Sequence, residues 1–373
     1  MSSAEHGAKQ STKESTKELI WPLRIQEQGS FYVGGSYDNA ADPSCMTGQM
    51  YVRYQIPVRA ASAARRYPVV MVHGGGQQGT NFTGTPDGRP GWADYFLKKG
   101  WPVHVVDQPG RGKSPYIDSD YGPKSKMDIA GVEDRFTAVS RARKWPQSVL
   151  HTQWPGTGMR GDAVFDEFIA SQYRGMDRPL QEKHSVRALI ALLDRIGPAV
   201  LLTHSQSGPF GWCVADARPH LVKAVLAVEP NGPLFHDTEM PEGMVERPWG
   251  LSREPLTYDP PVSDPAEIDI VLQEKQDAQD LFRIWLQRKP ARRLPRLAGI
   301  PILILTGEAS YHAQYDHGLS RYLKQAGVAN DHMRLERHGI RGNGHMMMLE
   351  KNNLEIAALM EKWLRRKLKK PLA

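Results

Sequence analysis

Residues 199–208 read Ala-Val-Leu-Leu-Thr-His-Ser-Gln-Ser-Gly, and this stretch decides the fold of the 373-residue chain. Its four apolar residues predict a buried strand, and the small and polar residues after them break the strand into a tight turn before a helix. That order is the layout of a nucleophile elbow, which presents Ser205 at the tip of the turn. Thr203 and Ser207 stand where the common form G-x-S-x-G has glycine. The alternative is an ordinary Ser- and Gly-rich loop, because five-residue patterns recur by chance.

A second turn, His73-Gly74-Gly75-Gly76, follows the apolar run at 67–72. Glycines let backbone N–H groups approach a substrate oxygen closely, as an oxyanion hole requires. A phosphate-binding loop is the rival interpretation, but the run Gly112-Lys113-Ser114 has Asp107 where the pattern G-x-x-x-x-G-K-S needs its first glycine. The glycine turn and the elbow together favour a hydrolase more specifically than either does alone.

Strands and helices alternate along most of the chain. An antiparallel pair is predicted near Ser30–Val33 and Met50–Pro57, and continuous apolar runs predict parallel strands that are covered on both faces. These runs are Tyr67–Val72, Trp101–Val106, Ala199–Leu202, Lys223–Val228 and Ile300–Thr306, with a last strand near Met333–Arg337. Helical spacing of apolar residues predicts helices that begin near Trp92, end at Gly197 and close the chain around Ile356–Trp363. The pattern predicts an α/β fold, with a mostly parallel, doubly wound sheet and helices on both faces.

Two long stretches, about 115–179 and 231–295, interrupt the alternation, and the second contains a predicted helix around Ala278–Gln287. Each stretch follows the carboxyl end of a strand, where open α/β sheets bind ligands. We therefore predict that both form lid or cap elements within one domain spanning 26–373. Residues 1–25 are predicted to be a disordered polar tail.

Composition excludes several classes of protein. The chain is 40% hydrophobic and 24% charged, with a formal net charge of +7. Much of this excess lies near the two ends without a nucleic-acid motif, so no nucleic-acid partner is expected. No stretch approaches the roughly 18 apolar residues of a membrane span, and the N-terminal segment lacks the apolar core of a secretion signal. We therefore expect a cytoplasmic protein. The two cysteines, Cys45 and Cys213, are too few for a disulfide framework.

The chain resembles the α/β-hydrolase superfamily over about residues 30–370. The run 107–114, Asp-Gln-Pro-Gly-Arg-Gly-Lys-Ser, matches the superfamily's D-x-x-G-x-G-x-S turn after its fourth strand. More narrowly, the segments 73–92 and 342–350 resemble a small group of microbial serine esterases. In that group the acid of the Ser-acid-His triad is a Glu after the sixth strand. The resemblance implies ester hydrolysis without naming an ester.

His345 is the candidate base among 13 histidines, because it follows the last predicted strand and precedes the closing helix. This position preserves the order Ser, acid, His along the chain. His332 and His338 are read as solvated or structural. His204 is expected to point away from the site, and His73 to brace the glycine turn.

Two glutamates compete for the role of triad acid. The superfamily commonly places the acid after the seventh strand, but there the turn reads Gly307-Glu308-Ala309-Ser310, with Ser310 in the acid's place. Glu229 instead ends the sixth predicted strand, and a carboxylate leaving an apolar strand needs a hydrogen-bond partner to stay ionised. A histidine N–H is the partner that a triad provides. We favour Glu229, and Glu308 stays the alternative.

The predicted activity is that of a serine carboxylic ester hydrolase working through an acyl-enzyme. Ser205 attacks, His345 takes its proton, Glu229 orients the imidazole, and the N–H groups of Gln206 and Gly75 hold the oxyanion, with Gly74 as the alternative to Gly75. No metal-ligand spacing or dinucleotide fingerprint is found, so no metal and no cofactor are expected. The expected partner is a small ester or lactone substrate. Lactonase or acyltransferase chemistry on the same triad, a ligand-binding protein without catalysis, and a homodimer all stay open.

Overall fold

A mostly parallel sheet forms the centre of the protein. The computed structural model describes residues 22–40, 42–58, 66–236 and 246–368. Within these ranges the strands are β1 (Ile25–Val33), β2 (Met50–Pro57), β3 (Val69–Val72), β4 (Val103–Asp107), β5 (Ala199–His204), β6 (Val222–Val228), β7 (Ile270–Leu272), β8 (Trp285–Gln287), β9 (Ile302–Thr306) and β10 (Asp331–Arg334). Eight of the described strands form the central sheet in the order β1-β2-β4-β3-β5-β6-β9-β10, and β7 pairs with β8 separately.

The pairing directions confirm the predicted sheet. β1 runs antiparallel to β2, and β2 antiparallel to β4. Every further pair, from β4-β3 to β9-β10, is parallel. All side chains of β3 and β5 are buried, as continuous apolar runs require when both faces of a sheet are covered.

Helices cover both faces of this sheet. The α-helices are α1 (Thr80–Thr83), α2 (Trp92–Lys98), α3 (Asp118–Tyr121), α4 (Ile129–Val132), α5 (Val139–Ala142), α6 (Ala163–Ala170), α7 (Arg178–Ile196), α8 (Ser207–Ala217), α9 (Asp316–Gln325) and α10 (Asn353–Lys367). α7, α8 and α9 pack against one face, where Val70 and Leu201 belong to the same core. α2 and α10 pack against the other, with Met71 and Leu202. The alternating strand residues thus fill two separate cores.

Most predicted elements exist, but two differ in type or position. No helix forms around Ala278–Gln287, so that prediction is wrong. The segment instead ends in β8, which pairs with β7, while Ile284 packs close to Gly318 of α9. The last sheet strand covers 331–334 rather than 333–337, because Leu335–His338 forms a 3-10 turn.

The first predicted lid stretch crosses the carboxyl edge of the sheet. It carries α3 to α6, a π-helical turn at Glu133–Thr137 and a 3-10 turn at Pro146–Leu150. Trp145 donates its indole N–H to the Ala309 carbonyl at 2.9 Å, and Thr152 N donates to Gly342 O at 3.0 Å. This stretch therefore packs on the loops that follow β9 and β10. Residues 237–245 of the second stretch and residues 1–21 of the predicted tail lie outside the described residues.

None of the helices in the described ranges combines the length and the apolar character that crossing a bilayer would need.

Candidate active site

Ser205 lies at a sharp turn between β5 and α8. Its φ of +52° is rare for a residue with a side chain, and three backbone hydrogen bonds hold it, one of them from Asn231 N to Ser205 O at 2.8 Å. Ser205 N donates to Val228 O at 3.1 Å, and Ser205 O accepts from Gly208 N at 2.8 Å. The turn also needs Gly208, because a Cβ there would lie 2.3 Å from the Pro230 Cβ. The strain and close packing match the elbow that the sequence predicts.

His345 hydrogen-bonds to the carboxylate at the end of β6 and not to Glu308 in the turn after β9. Its Nδ1 lies 2.6 Å from Glu229 Oε2, and both side chains are buried. Glu229 itself has a φ of +42°, which turns the chain as it leaves β6. The Glu308 carboxylate instead accepts hydrogen bonds from Arg341 at 2.7 Å and from Gly342 N at 2.8 Å. Of the two candidate acids, Glu229 is therefore the one that contacts His345.

The turn after β9 supplies donors to this carboxylate. Ser310 Oγ donates to Glu229 Oε2 at 2.7 Å, and Gly307 N donates to Glu229 Oε1 at 2.7 Å. Together with His345 Nδ1–H, three donors converge on one carboxylate, which favours its ionised form. In the sequence Ser310 is visible only as the residue that replaces an acid, and the pattern G-x-x-S beside a displaced Glu is the signal that would have revealed its role.

Burial dominates the electrostatics of the pair. Burial, and then the Asp316 carboxylate, raise the pKa of Glu229, and the donors from Ser310 and Gly307 oppose this rise. Burial, and then the neighbouring His204 and His312, lower the pKa of His345. His345 is therefore neutral at neutral pH, the state in which its free nitrogen accepts a proton.

The glycine turn lies against the Ser205 turn. A Cβ on Gly74 would come within 3.0 Å of the Ser205 Cβ, so the two backbones are in close contact. Gly74 N donates to Gln77 Oε1 at 3.1 Å. Gly75 and Gln206 line the same cavity as Ser205 and His345, and in the described part of the chain their N–H groups have no acceptor within the protein.

His73 braces the base of that turn. Its Nε2 accepts from Gln108 N at 3.1 Å, so the proton lies on Nδ1, which donates to Gly74 O at 2.9 Å. Burial lowers the pKa of His73 to about 3, so this tautomer stays neutral. His204, which was expected to point away, instead lies under His345, with its Nε2 3.0 Å from the His345 carbonyl.

Three further aromatic side chains surround His345, and the sequence gives no signal for them. Phe136, from the first lid stretch, stacks on the imidazole with ring centres 5.2 Å apart. Tyr311 places its hydroxyl 3.4 Å from His345 Nε2, and the His312 ring lies parallel to His345 at 4.9 Å. Phe136 belongs to a stretch without recognisable pattern, so only the folded chain shows that it reaches the site.

Glu229, His312 and His345 offer ligand atoms within 4.8 Å of one another, a spacing that could hold a metal ion. Sequence spacing does not predict this cluster, because its members come from three separate loops. Nδ1 of His345 and the Glu229 carboxylate already bind each other, so a metal there would have to replace their hydrogen bond.

Three neighbouring cavities lie at or beside Ser205. The central cavity, of about 150 Å³, contains Ser205, His345, Gly75 and Gln206. The apolar chamber, of about 340 Å³, shares Asn231, Gly232 and Tyr315 with it; its walls are mainly Trp212, Leu234, Phe282, Ile284, Trp285 and Leu319. The basic chamber, of about 310 Å³, shares Gly75, Gln77, Phe136 and Arg178; its other charged walls include Arg111, Lys126 and Arg174.

Comparison with known proteins identifies relatives of this chain. A family model described as alpha/beta hydrolase fold matches residues 67–262. A relative named "Probable secreted lipase phiG", from Fungal sp. (strain ATCC 74256), is 44% identical over 338 residues, which cover 90% of this chain and 89% of the relative. The solved structure titled "The Atomic Resolution Structure of a Novel Bacterial Esterase" is 27% identical with a TM-score of 0.57. It covers 93% of this chain and 98% of its own.

One of these findings corrects the sequence analysis. The relative at 44% identity is named as secreted, so the prediction of a cytoplasmic protein is wrong. That prediction rested on the N-terminal segment without the apolar core of a secretion signal and on the lack of a stretch long enough to span a membrane.

Proposed function

Because this chain belongs to the alpha/beta hydrolase family and is a serine hydrolase of the carboxylic ester type, we propose that Ser205, Glu229 and His345 form its catalytic triad. The observation that carries the proposal is the 2.6 Å contact between His345 Nδ1 and Glu229 Oε2, beside the cavity that contains Ser205. Glu229 fixes the imidazole tautomer in which Nε2 carries no proton and can act as a base.

The reaction then proceeds through an acyl-enzyme. His345 Nε2 takes the hydroxyl proton of Ser205 as its Oγ attacks the ester carbonyl carbon. The carbonyl oxygen becomes an oxyanion, and the N–H groups of Gln206 and Gly75 donate to it. Gly74 N is the weaker alternative, since it already donates to Gln77. The alcohol leaves with the proton from His345, and water attacks the acyl-enzyme by the same route.

The cavities support an ester with a hydrocarbon portion. The apolar chamber borders the central cavity at Asn231, Gly232 and Tyr315, so the hydrocarbon portion of a bound ester could be buried there, next to the reacting carbonyl group. Burial of an apolar chain of this kind favours binding by roughly 0.8 kcal/mol per CH₂. We also propose that this chain is secreted, which the name of the relative supports. Measuring the fraction of the native protein found in the culture medium tests this proposal.

A fluorophosphonate probe tests the triad. Labelling, followed by peptide mapping, is expected to modify Ser205 in the native protein and to leave Ser205→Ala unmodified. Hydrolysis of p-nitrophenyl butyrate should fall by several orders of magnitude in the same variant. Labelling of another serine, or more than about a tenth of wild-type activity in folded Ser205→Ala, would contradict the assignment. Lactones in the same assay show whether ring opening is faster than ester hydrolysis.

A further inference from the structure

Cationic side chains line both the central cavity and the basic chamber. Arg135, Arg178 and Arg253 line the cavity together with Ser205. The basic chamber shares Arg178 with it and adds three more cationic walls. Asp128 is the one carboxylate among the described residues that line these two spaces, and it already accepts a hydrogen bond from Gly131 N.

Two of these cations are balanced by nearby carboxylates. Arg178 Nη1 lies 3.1 Å from Glu246 Oε1, which Arg253 also contacts. Arg253 Nη1 also lies 3.1 Å from Glu182 Oε2. Since two arginines share two carboxylates, this group has no net charge, and the excess charge belongs to the other side chains. Arg178 nevertheless lines both spaces with a half-exposed side chain, so it can still donate to an anion there.

Among the described residues that line these spaces, Arg111 is a deeply buried cation without a carboxylate partner. Only 3% of the residue is exposed, and its Nε and Nη2 contact neutral amides, Gln181 at 3.3 Å and Gln206 at 3.5 Å. Nη1 has no hydrogen-bond partner, and no described carboxylate lies within ion-pair distance of the guanidinium. Burial lowers the pKa of Arg111 to about 10, which still leaves the group charged at neutral pH. An unpaired buried charge is costly, so an anion that reaches it is strongly favoured.

Arg111 is also close to the reacting centre. The amide that it contacts belongs to Gln206, whose backbone N–H faces the proposed oxyanion. The chain at Gly175 packs on the guanidinium, because a Cβ there would lie 2.3 Å from Nη2. The cation is therefore fixed in the wall of the basic chamber, next to the elbow.

We propose that the basic chamber binds a carboxylate of the ester substrate, through Arg111 and Arg178, while the apolar chamber takes the hydrocarbon portion. The two chambers share no lining residue and meet the central cavity at different borders, so they receive the two sides of the ester bond. This inference rests on the proposed function. Two substrate types carry this chemistry: a monoalkyl ester of a dicarboxylic acid, and a fatty acyl ester of a hydroxy acid.

Matched pairs of esters test the inference and distinguish the two types. The first pair is monohexyl glutarate and hexyl pentanoate, in which a methyl group replaces the carboxylate. The second is the hexanoyl ester of 4-hydroxybutanoate and butyl hexanoate. We expect the wild-type protein to prefer the charged member of one pair by at least about tenfold in kcat/KM, the effect of one charge-assisted hydrogen bond.

Three variants locate the origin of that preference. In Arg111→Met it should fall to near parity, and in Arg178→Met, whose side chain is half exposed and so tolerates replacement, it should fall several-fold. Arg366→Met is the matched control. Arg366 lies on α10, outside these cavities, where it is exposed and paired with Asp331 of β10. Its preference should equal that of the wild type.

The outcomes separate the inference from the function on which it rests. Equal or slower cleavage of the charged esters by a wild-type protein whose Ser205 is labelled would overturn the inference and leave the proposed function intact. A preference that survives in both Arg111→Met and Arg178→Met, or in Arg178→Met when Arg111→Met does not fold, would also overturn it. Failure to cleave any ester, together with no labelling of Ser205, would refute the proposed function and the inference with it.

Discussion

Replacing Glu229 by Gln should abolish most of the catalytic activity, because it changes which nitrogen of His345 carries the proton. An amide keeps the size of the carboxylate but turns one acceptor into a donor. Glu229 Oε1 accepts from the fixed backbone N–H of Gly307, and Oε2 accepts from Ser310 Oγ and His345 Nδ1. The amide oxygen must therefore face Gly307, because a donor facing that N–H would leave both groups unsatisfied.

The NH₂ of the introduced amide then points at Ser310 and His345. The Ser310 hydroxyl can rotate and accept, but His345 Nδ1 can accept only if its proton moves to Nε2. A proton on Nε2 removes the nitrogen that the proposed mechanism uses as the base for Ser205, so we expect kcat to fall by roughly 10³ to 10⁴. Circular dichroism should be unchanged, since the amide satisfies Gly307 and Ser310.

Glu308→Gln is the matched control. Its amide oxygen keeps the bond to Gly342 N, and its other partner, Arg341, is 68% exposed and can be solvated. The loss in kcat should therefore stay within about tenfold, as for an exposed ion pair. Both variants are compared on p-nitrophenyl butyrate. A crippled Glu308→Gln beside a nearly normal Glu229→Gln would move the acid to the turn after β9 and refute this reasoning.

Three further predictions follow from hydrogen bonds and burial. Ser310→Ala removes one donor to Glu229 and should lower kcat by about tenfold, the loss of one hydrogen bond to a charged group; an unchanged kcat would show that Ser310 has no part in orienting the acid. Because burial lowers the pKa of His345, the base stays neutral at lower pH, and the acid limb of kcat/KM should have its midpoint below 6.5; a midpoint above about 7 would contradict this. Burial lowers the pKa of His104 to about 4, so the unfolded chain binds more protons and stability should be lost as pH falls from about 6.5 towards 4. His104→Phe retains an aromatic ring against Tyr54. In urea titrations its free energy of unfolding should fall less steeply between about pH 6.5 and 4, by about 1.4 kcal/mol per pH unit. An equal dependence of the free energy of unfolding on pH in both proteins would contradict this prediction.

The sheet could be predicted because the sequence pattern of its strands is easily recognised. β3, β5, β6 and β9 are continuous apolar runs that only a sheet covered on both faces would bury. The segment 278–287 misled the prediction because its apolar residues fit a helix as well as a strand. Its outcome depends on pairing with Ile270–Leu272, a tertiary contact that helical spacing does not report.

Some residues of the candidate site can likewise be found from the sequence, and others only from the folded structure. Ser205, Gly75 and His345 stand in short motifs whose spacing is local, so a sequence can display them. Phe136 and Arg111 cannot be found like this. Phe136 reaches His345 from a lid stretch without pattern, and the charge of Arg111 is unusual only because the fold buries it among neutral amides.

The positions of Glu229 and Ser310 explain why the sequence leaves two candidate positions for the triad acid. β6 and β9 are parallel neighbours, so their carboxyl ends meet at one edge of the sheet, and a carboxylate from either could reach His345. A Glu at the end of β6 needs donors to stay ionised in a buried position. An acid retained after β9 would repel it, whereas Ser310 in that place donates to Glu229 at 2.7 Å. Ser310→Asp would place a second buried carboxylate beside Glu229, so it should lower activity more than Ser310→Ala does.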